Sequence, residues 1–286
     1  MSTRFKFIAA LATVITCFPM LYFLKSNTNL STLTTSFSSS TVPSINETFS
    51  CDTWKNFPHI NISKYEKCLK QSRDDSFWSV QGIRHTAFKN LLNSSSLIIE
   101  VGGNTGLDTS QFIALYNPSI ISFEPLLQMS KALREKFQKN PKIEIQSYGL
   151  GNRARNLSIE PFDTDNAGTS IFRKLSKKNS SKIEQIQLRD VVQVIENIRK
   201  TRTQHGIIDM ISINCEGCEF EILPALILNN MTQYFRIIQF GSHMNFLTGS
   251  SCIYCQIEQA LERTHQIKYH YTMLWEAWVI KSNLET

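Results

Sequence analysis

The chain has little net charge and lacks every common phosphate-binding fingerprint. Its 286 residues carry 30 Lys and Arg against 24 Asp and Glu, a net charge of +6 that is spread along the sequence. Without a nucleic-acid-binding motif, this modest charge argues against binding of DNA or RNA. G-x-G-x-x-G and G-x-x-x-x-G-K-[ST] are both absent, which argues against a dinucleotide, ATP or GTP. No internal repeat is present, so the sequence does not indicate a solenoid.

The glycines that are present are concentrated in one turn. The apolar run 97–101 contains Glu100 and leads into glycines, after which a helical pattern begins near residue 107. A second apolar run, 119–123, ends at Glu124, where nucleotide-binding α/β folds hold ribose hydroxyls. The six predicted cofactor-binding residues are Glu100, Gly102, Gly103, Asn104, Gly106 and Glu124.

S-adenosylmethionine is the predicted cofactor for this strand–turn–helix unit. It has no phosphate, and a carboxylate such as Glu100 suits its cationic sulfonium and amino groups. The alternative is an ordinary tight turn after a buried strand.

Strands alternate with helices over most of the chain, which predicts a doubly wound, mostly parallel sheet. Predicted strands lie at 97–101, 119–123, 142–148, 207–213 and 236–240. A C-terminal antiparallel hairpin is expected over 268–281, and Pro224 is expected to interrupt the helix 219–229. Ligands of such sheets bind at the carboxyl ends of the strands.

Two residues beyond strand ends are candidates for catalysis. Glu216 follows the fourth strand and could bind the acceptor or act as base, although it could equally belong to a structural turn or helix cap. His243 follows the fifth strand and could remove a proton from a hydroxyl. The alternative for His243 is an exposed or hydrogen-bonded loop residue.

The N-terminal region has the composition of an anchor and a stalk. Residues 7–24 form an uncharged, mostly apolar run just long enough for a bilayer core. Arg4 and Lys6 precede it and only Lys25 follows, which favours a cytoplasmic N-terminus and hence a type II orientation. The run is long for the apolar core of a signal peptide, and no small-x-small cleavage site follows it closely, which favours a signal anchor over a cleaved signal peptide. The predicted layout is a cytoplasmic tail and anchor at 1–25, a Ser/Thr-rich stalk at 26–50, a helical cap at 51–92 and a catalytic domain at 93–286.

A location in the Golgi or another secretory-pathway lumen follows from this layout. Seven N-x-[ST] sequons are consistent with glycosylation there: Asn29, Asn46, Asn61, Asn93, Asn156, Asn179 and Asn230.

Six cysteines lie outside the predicted span, an even number that indicates disulfides in an oxidising lumen. Pairing of Cys51 with Cys68 is expected. The pairs Cys215–Cys218 and Cys252–Cys255 also permit a zinc site, but their separation exceeds the usual ribbon spacing. No metal ligand is predicted.

Three blocks of the chain resemble the FkbM-type S-adenosylmethionine-dependent methyltransferases. They are the run from Glu100 to Gly106 (E-V-G-G-N-T-G), the F-E-P at 123–125, and I-D-M-I-S-I-N-C-E-G-C-E at 208–219. The resemblance implies a class I methyltransferase fold with a seven-stranded sheet, and O-methyl transfer to a sugar or other hydroxyl acceptor. Ser212 and Asn214 depart from the Lys and Asp that are usual in the family.

The predicted function is therefore a lumenal O-methyltransferase that acts on a glycan or another hydroxyl acceptor. The alternative is a catalytically inactive methyltransferase-fold adaptor, which the departures at Ser212 and Asn214 motivate. The anchor-and-stalk layout alone suggests a glycosyltransferase, which would typically carry a D-x-D motif. Asp163 to Asp165 match those letters, but they lie in a polar loop away from the strand ends, and we interpret them as a chance match.

Overall fold

A computed structural model describes residues 61–162, 168–175 and 183–282. This part of the chain contains seven α-helices and ten strands. In chain order they are α1 Ile62–Leu69, α2 Ile83–Thr86, β1 Leu97–Val101, α3 Leu107–Tyr116, β2 Ser119–Phe123, α4 Leu127–Phe137, β3 Ile143–Gln146, β4 Gly149–Gly151, β5 Arg155–Ile159, β6 Glu184–Asp190, α5 Val191–Arg202, β7 Ile208–Ile213, α6 Glu219–Leu228, β8 Phe235–Gly241, α7 Ser250–Leu261, β9 His265–Tyr271 and β10 Trp275–Ile280.

The main sheet has seven strands in the order β3-β2-β1-β7-β8-β10-β9. Strands β1, β2, β3, β7 and β8 pair in parallel, and β10 runs antiparallel to both of its neighbours. This strand order, with its one reversed strand, is the class I methyltransferase fold. The predicted doubly wound sheet and C-terminal hairpin are confirmed.

Both faces of the sheet are covered, so its central strands are apolar on both sides, as parallel strands are. All five residues of β1 are buried. Alternate residues along β1 contribute to two separate apolar clusters: Ile99 lies in the cluster with α5, α6 and α7, and Ile98 in the one with Phe112 of α3.

A smaller sheet of three strands, in the order β4-β6-β5, lies beside the main one. Strand β4 is parallel to β6, and β5 is antiparallel to it. Ile159, Ile186 and Leu188 from this sheet pack with Leu126, which lies between β2 and α4. The small sheet therefore packs next to the carboxyl end of β2.

Helix α6 continues through Pro224 to Leu228, so the predicted interruption is wrong. Proline removes one helical hydrogen bond, but residues 219–226 of α6 are all buried, and this burial outweighs the loss.

The predicted membrane anchor, residues 7–24, and the stalk lie outside the described residues. Within the residues that are described, no helix is both long and apolar enough to cross a membrane. The longest of these helices, α5 and α7, have 12 residues and span about 18 Å, against a bilayer core of about 30 Å. On this finding the predicted type II membrane location is corrected, and no location is assigned.

The cysteine pairing also differs from the prediction. Cys68 of α1 forms its disulfide with Cys255 of α7, so the expected Cys51–Cys68 pair is wrong. Cys215 pairs with Cys218, and Cys252 is disulfide-bonded as well. The two C-x-x-C pairs thus do not converge on one zinc site.

Candidate active site

The glycine turn after β1 is held close to the neighbouring strands. Gly102 has φ +92° and donates its N–H to the Phe123 carbonyl at 2.9 Å. A Cβ at Gly102 would lie 2.0 Å from the carbonyl oxygen of Asn214. Only glycine fits this position, because the left-handed backbone and the close approach both exclude a side chain.

Glu124 connects the turn to the second strand. Its Oε2 accepts the Asn104 backbone N–H at 2.8 Å, and its Oε1 accepts the Leu126 N–H at 2.9 Å. Burial raises the pKa of Glu124, and these two backbone hydrogen bonds oppose the rise. The carboxylate thus fixes the glycine turn and the start of α4 together.

A cleft opens where β1, β2 and β7 end, at the edge of the sheet where ligands bind in this class of fold. Its cavity volume is about 80 Å³, below the range of about 300–1,000 Å³ for small-molecule sites, so a nucleoside ligand requires the walls of the cleft to move apart. Of the predicted residues, Gly102, Asn104, Glu124 and Glu216 line it. Its other wall is apolar and comes from the small sheet and the segments around it: Leu126, Leu150, Ile159, Ile171, Ile186 and Leu188.

Gly103 and Gly106 lie behind the cleft and support the turn. A Cβ on Gly103 would lie 2.5 Å from Ser122 Oγ, and Gly106, at φ +72°, is the N-cap of α3. Close packing therefore explains both glycines.

Glu100 also lies behind the turn, in a polar row that crosses the main sheet. It accepts hydrogen bonds from Thr109 Oγ1 at 2.6 Å and from Ser122 Oγ. Burial raises the pKa of Glu100 to about 7, although the Ser122 and Thr109 hydroxyls lower it. Its other oxygen, Oε1, is buried without a hydrogen-bond partner among the described residues.

The same row continues through Ser212, one of the two residues that depart from the family pattern. Ser212 pairs in register with Glu100 on one side and Gln239 on the other. Gln239 donates to Ser212 Oγ at 2.9 Å and accepts from Tyr269 at 2.7 Å. Ser212 is thus bonded inside the sheet, whereas Asn214 lines the cleft.

The loop between β7 and α6 is closed by the Cys215–Cys218 disulfide. Both residues inside it have positive φ, +56° at Glu216 and +112° at Gly217. Cys215, Glu216 and Cys218 all line the cleft. The disulfide therefore closes the loop that places Glu216 there.

His243 and Glu216, the two predicted catalytic residues, are brought together through Glu219. The Glu219 Oε1 atom lies 2.7 Å from the His243 backbone nitrogen and 3.0 Å from His243 Nδ1. His243 Nε2 lies 3.4 Å from Glu216 Oε1. Burial opposes protonation of His243, but the carboxylates of Glu219 and Glu216 hold its pKa above the ordinary value.

A further group at the carboxyl end of the sheet was not predicted. Asp108, in the first turn of α3, contacts Arg84 at 2.9 Å and His85 at 2.8 Å. Asn214 Nδ2 lies 3.4 Å from its other oxygen. This links the helical cap to the cleft, and the only sequence signal was an acid in a first helical turn.

A wider groove outside the sheet edge is less suited to a ligand. Its lining includes Glu144, Arg155 and Arg202. Arg155 is paired with Glu221 and Arg202 with Glu144, each at 2.7 Å. These charges are already satisfied within the fold.

No family model matches the chain, and neither does any curated protein. The resemblance to the FkbM family therefore stays a prediction.

Several solved structures of methyltransferases are similar to this chain. A protein from Clostridium thermocellum described as an rRNA methylase is 9% identical with a TM-score of 0.43, over 71% of this chain and 96% of its own. An O-methyltransferase from Bacillus cereus in complex with SAH is 11% identical with a TM-score of 0.39, over 81% and 100%. A precorrin-6y C5,15-methyltransferase from Geobacter metallireducens is 12% identical with a TM-score of 0.37, over 74% and 95%. Such distant similarity assigns no residue roles, and the fold rests on this chain's own strand order.

Proposed function

We propose that the protein is an S-adenosylmethionine-dependent methyltransferase. One observation carries the proposal: the Glu124 carboxylate, at the end of β2, holds the Asn104 N–H of a glycine turn beside a cleft at the carboxyl ends of the strands. This is the part of an α/β sheet that binds a nucleoside.

The residues of the cleft fit this cofactor. Glu124 keeps lone pairs free on both carboxylate oxygens for ribose hydroxyls. The apolar wall built by Leu126, Ile159 and Ile186 suits a flat adenine ring. Glu216 brings a carboxylate to the same cleft, where a cationic sulfonium or amino group would be attracted to it. When bound, the cofactor supplies the electrophilic methyl group.

The acceptor that we propose is a hydroxyl, such as that of a sugar. A hydroxyl must lose a proton as it is methylated, so a base has to lie within reach. Glu219 engages Nδ1 of His243, as in other His–carboxylate pairs. The nitrogen that takes up the proton is then Nε2, which lies 3.4 Å from Glu216 Oε1. We assign His243 as the base, Glu219 as its positioning residue and Glu216 as an acceptor-binding residue.

Calorimetric titration of the full-length chain with S-adenosylmethionine tests the cofactor site. A micromolar dissociation constant that weakens in Glu124→Gln supports the proposal. Absence of binding in protein that is folded by circular dichroism would refute it. A nucleotide-sugar serves as the negative ligand; binding of it would point to a glycosyltransferase instead, although the D-x-D motif lies outside the described residues.

Turnover distinguishes the enzyme from an inactive adaptor. The chain is incubated with cofactor carrying a labelled methyl group and with mono- and oligosaccharides, and label in the acceptor is counted. Cofactor binding without transfer to any hydroxyl acceptor would favour the adaptor. Transfer to RNA would overturn the assignment of the acceptor while leaving the cofactor site intact.

A further inference from the structure

Four side chains converge near the β9 edge of the main sheet, beyond β8. They are Tyr254 and Glu258 of α7, His270 of β9 and Glu276 of β10. Ligand atoms of Glu258, His270 and Glu276 all lie within 4.8 Å of one another. None of the four residues lines the cofactor cleft.

Four of the five short distances between these atoms are close to those in a four-coordinate metal site. Tyr254 Oη lies 2.9 Å from Glu258 Oε1, 3.1 Å from His270 Nε2 and 3.3 Å from Glu276 Oε2. His270 Nε2 lies 3.3 Å from Glu276 Oε2 and 2.5 Å from Glu258 Oε1. Ligands about 2.0–2.1 Å from a tetrahedral Zn²⁺ would be about 3.3 Å apart. The ion would therefore replace the hydrogen bond between His270 and Glu258 and move those two ligand atoms apart by about 0.8 Å.

The cluster holds two carboxylates, and His270 is the basic side chain that contacts both of them. Glu276 is fully buried, and Glu258 is 14% exposed. Glu276 Oε1 makes no hydrogen bond within the described residues. A buried carboxylate oxygen that lacks a partner is costly, and a divalent cation would compensate Glu276 and Glu258 together.

We propose that Glu258, His270 and Glu276, with Tyr254 as fourth ligand, form a binding site for a zinc-like divalent cation. Imidazole and carboxylate are suitable ligands for Zn²⁺, and an N,O₃ set disfavours Cu⁺, which prefers sulfur. His270 is 24% exposed, which gives the ion a route from solvent.

The surrounding fold holds the ligands in place. Tyr254 and Glu258 are one helical turn apart on α7, so they face the same side. His270 and Glu276 are paired residues of adjacent strands. The Cys68–Cys255 disulfide fixes α1 against α7, with Cys68 Sγ 3.2 Å from Glu258 Oε2.

Zinc binding to the full-length, chelator-treated chain tests the proposal. We expect calorimetry with ZnCl₂ to show one site, and added Zn²⁺ to raise the melting temperature. His270→Ala and Glu276→Gln should each raise the dissociation constant by at least about 100-fold, since loss of a ligand exceeds the effect of an outer partner. His205→Ala, which removes an exposed imidazole, should bind as the parent does.

Co²⁺ substitution gives a second readout that does not depend on catalysis. A four-coordinate site should show a visible absorption band that His270→Ala loses and His205→Ala keeps. If Glu276→Gln fails to fold, Glu258→Gln replaces it, because Glu258 is partly exposed. Absence of zinc binding by the parent, or binding that His270→Ala retains, would overturn the proposal. Loss of binding in His243→Asn instead would do the same by placing the ion at the cleft.

Discussion

Glu124→Gln separates a cofactor-binding role from a structural one. The carboxylate accepts two backbone N–H groups, one on each oxygen, from Asn104 and Leu126. Glutamine has one oxygen and one NH₂ group in the same shape, so one of the two backbone donors must face another donor. A buried donor without a partner costs about 1–3 kcal/mol.

From the cost of the lost hydrogen bond we expect two measurable changes. The free energy of unfolding should fall by about 1–3 kcal/mol, which lowers the melting temperature by about 2–4 °C for each kcal/mol in a chain of this size. The dissociation constant for S-adenosylmethionine should rise by about 10- to 100-fold, since the glycine turn loses its fixed position and the ribose loses a charged acceptor.

Calorimetric titration and thermal unfolding are measured on the same preparation. Glu135→Gln is the matched control, because Glu135 lies on the exposed face of α4 and should change neither value. A melting temperature that falls while the dissociation constant stays within threefold of the parent would show that Glu124 only braces the turn. That result would refute the assignment of the cleft to the cofactor.

Three further predictions concern titration, catalysis and stability. The pKa of Glu100 is about 7 against an ordinary 4.5, so the native state holds this proton more tightly than the unfolded state does. The free energy of unfolding should therefore fall by about 3 kcal/mol between pH 4.5 and 7. Urea unfolding of Glu100→Gln should lack this dependence of the unfolding free energy on pH. His243→Asn should lower kcat by about 10²- to 10⁴-fold. Because the pKa of His243 is raised, kcat/KM of the parent should increase with pH through a value above 6.5. Equal activity of the variant and the parent would show that His243 is not the base. Replacing Cys68 and Cys255 by serine opens a loop spanned by 187 positions and should cost up to about 5 kcal/mol in the chain-entropy model; an unchanged urea midpoint would contradict it.

The β1–α3–β2 unit could be predicted because its signals are local. The apolar run, the glycine turn and the acid at 124 lie within 28 residues, and the structure places these elements where the periodicity predicted them. The small sheet could not be predicted as readily. Its strand β4 has three residues, G-L-G, and gains its conformation from pairing with β6 nearly 40 positions later.

The candidate site could be predicted only in part for the same reason. Gly102 and Glu124 are recognisable from the chain alone, whereas the contact of His243 with Glu219 depends on how β8 packs against α6. Ser212 is recognisable from the chain as a departure from a motif, but the bond of its side chain to Gln239 within the sheet depends on how β7 pairs with β8. The pairing of Cys68 with Cys255 is equally non-local.

The polar row across the main sheet has a consequence for how this chain can evolve. Ser122, Glu100, Ser212 and Gln239 are register partners on consecutive strands, and the Tyr269 hydroxyl reaches Gln239 past the small Ala277. Ser122 donates to Glu100, Gln239 donates to Ser212, and Tyr269 donates to Gln239, so a single replacement leaves a buried group without its bond. Substitutions here are expected to be inherited together, as correlated changes on strands that are far apart in the chain. In an alignment of homologues, the row would be visible as covariation rather than as invariance.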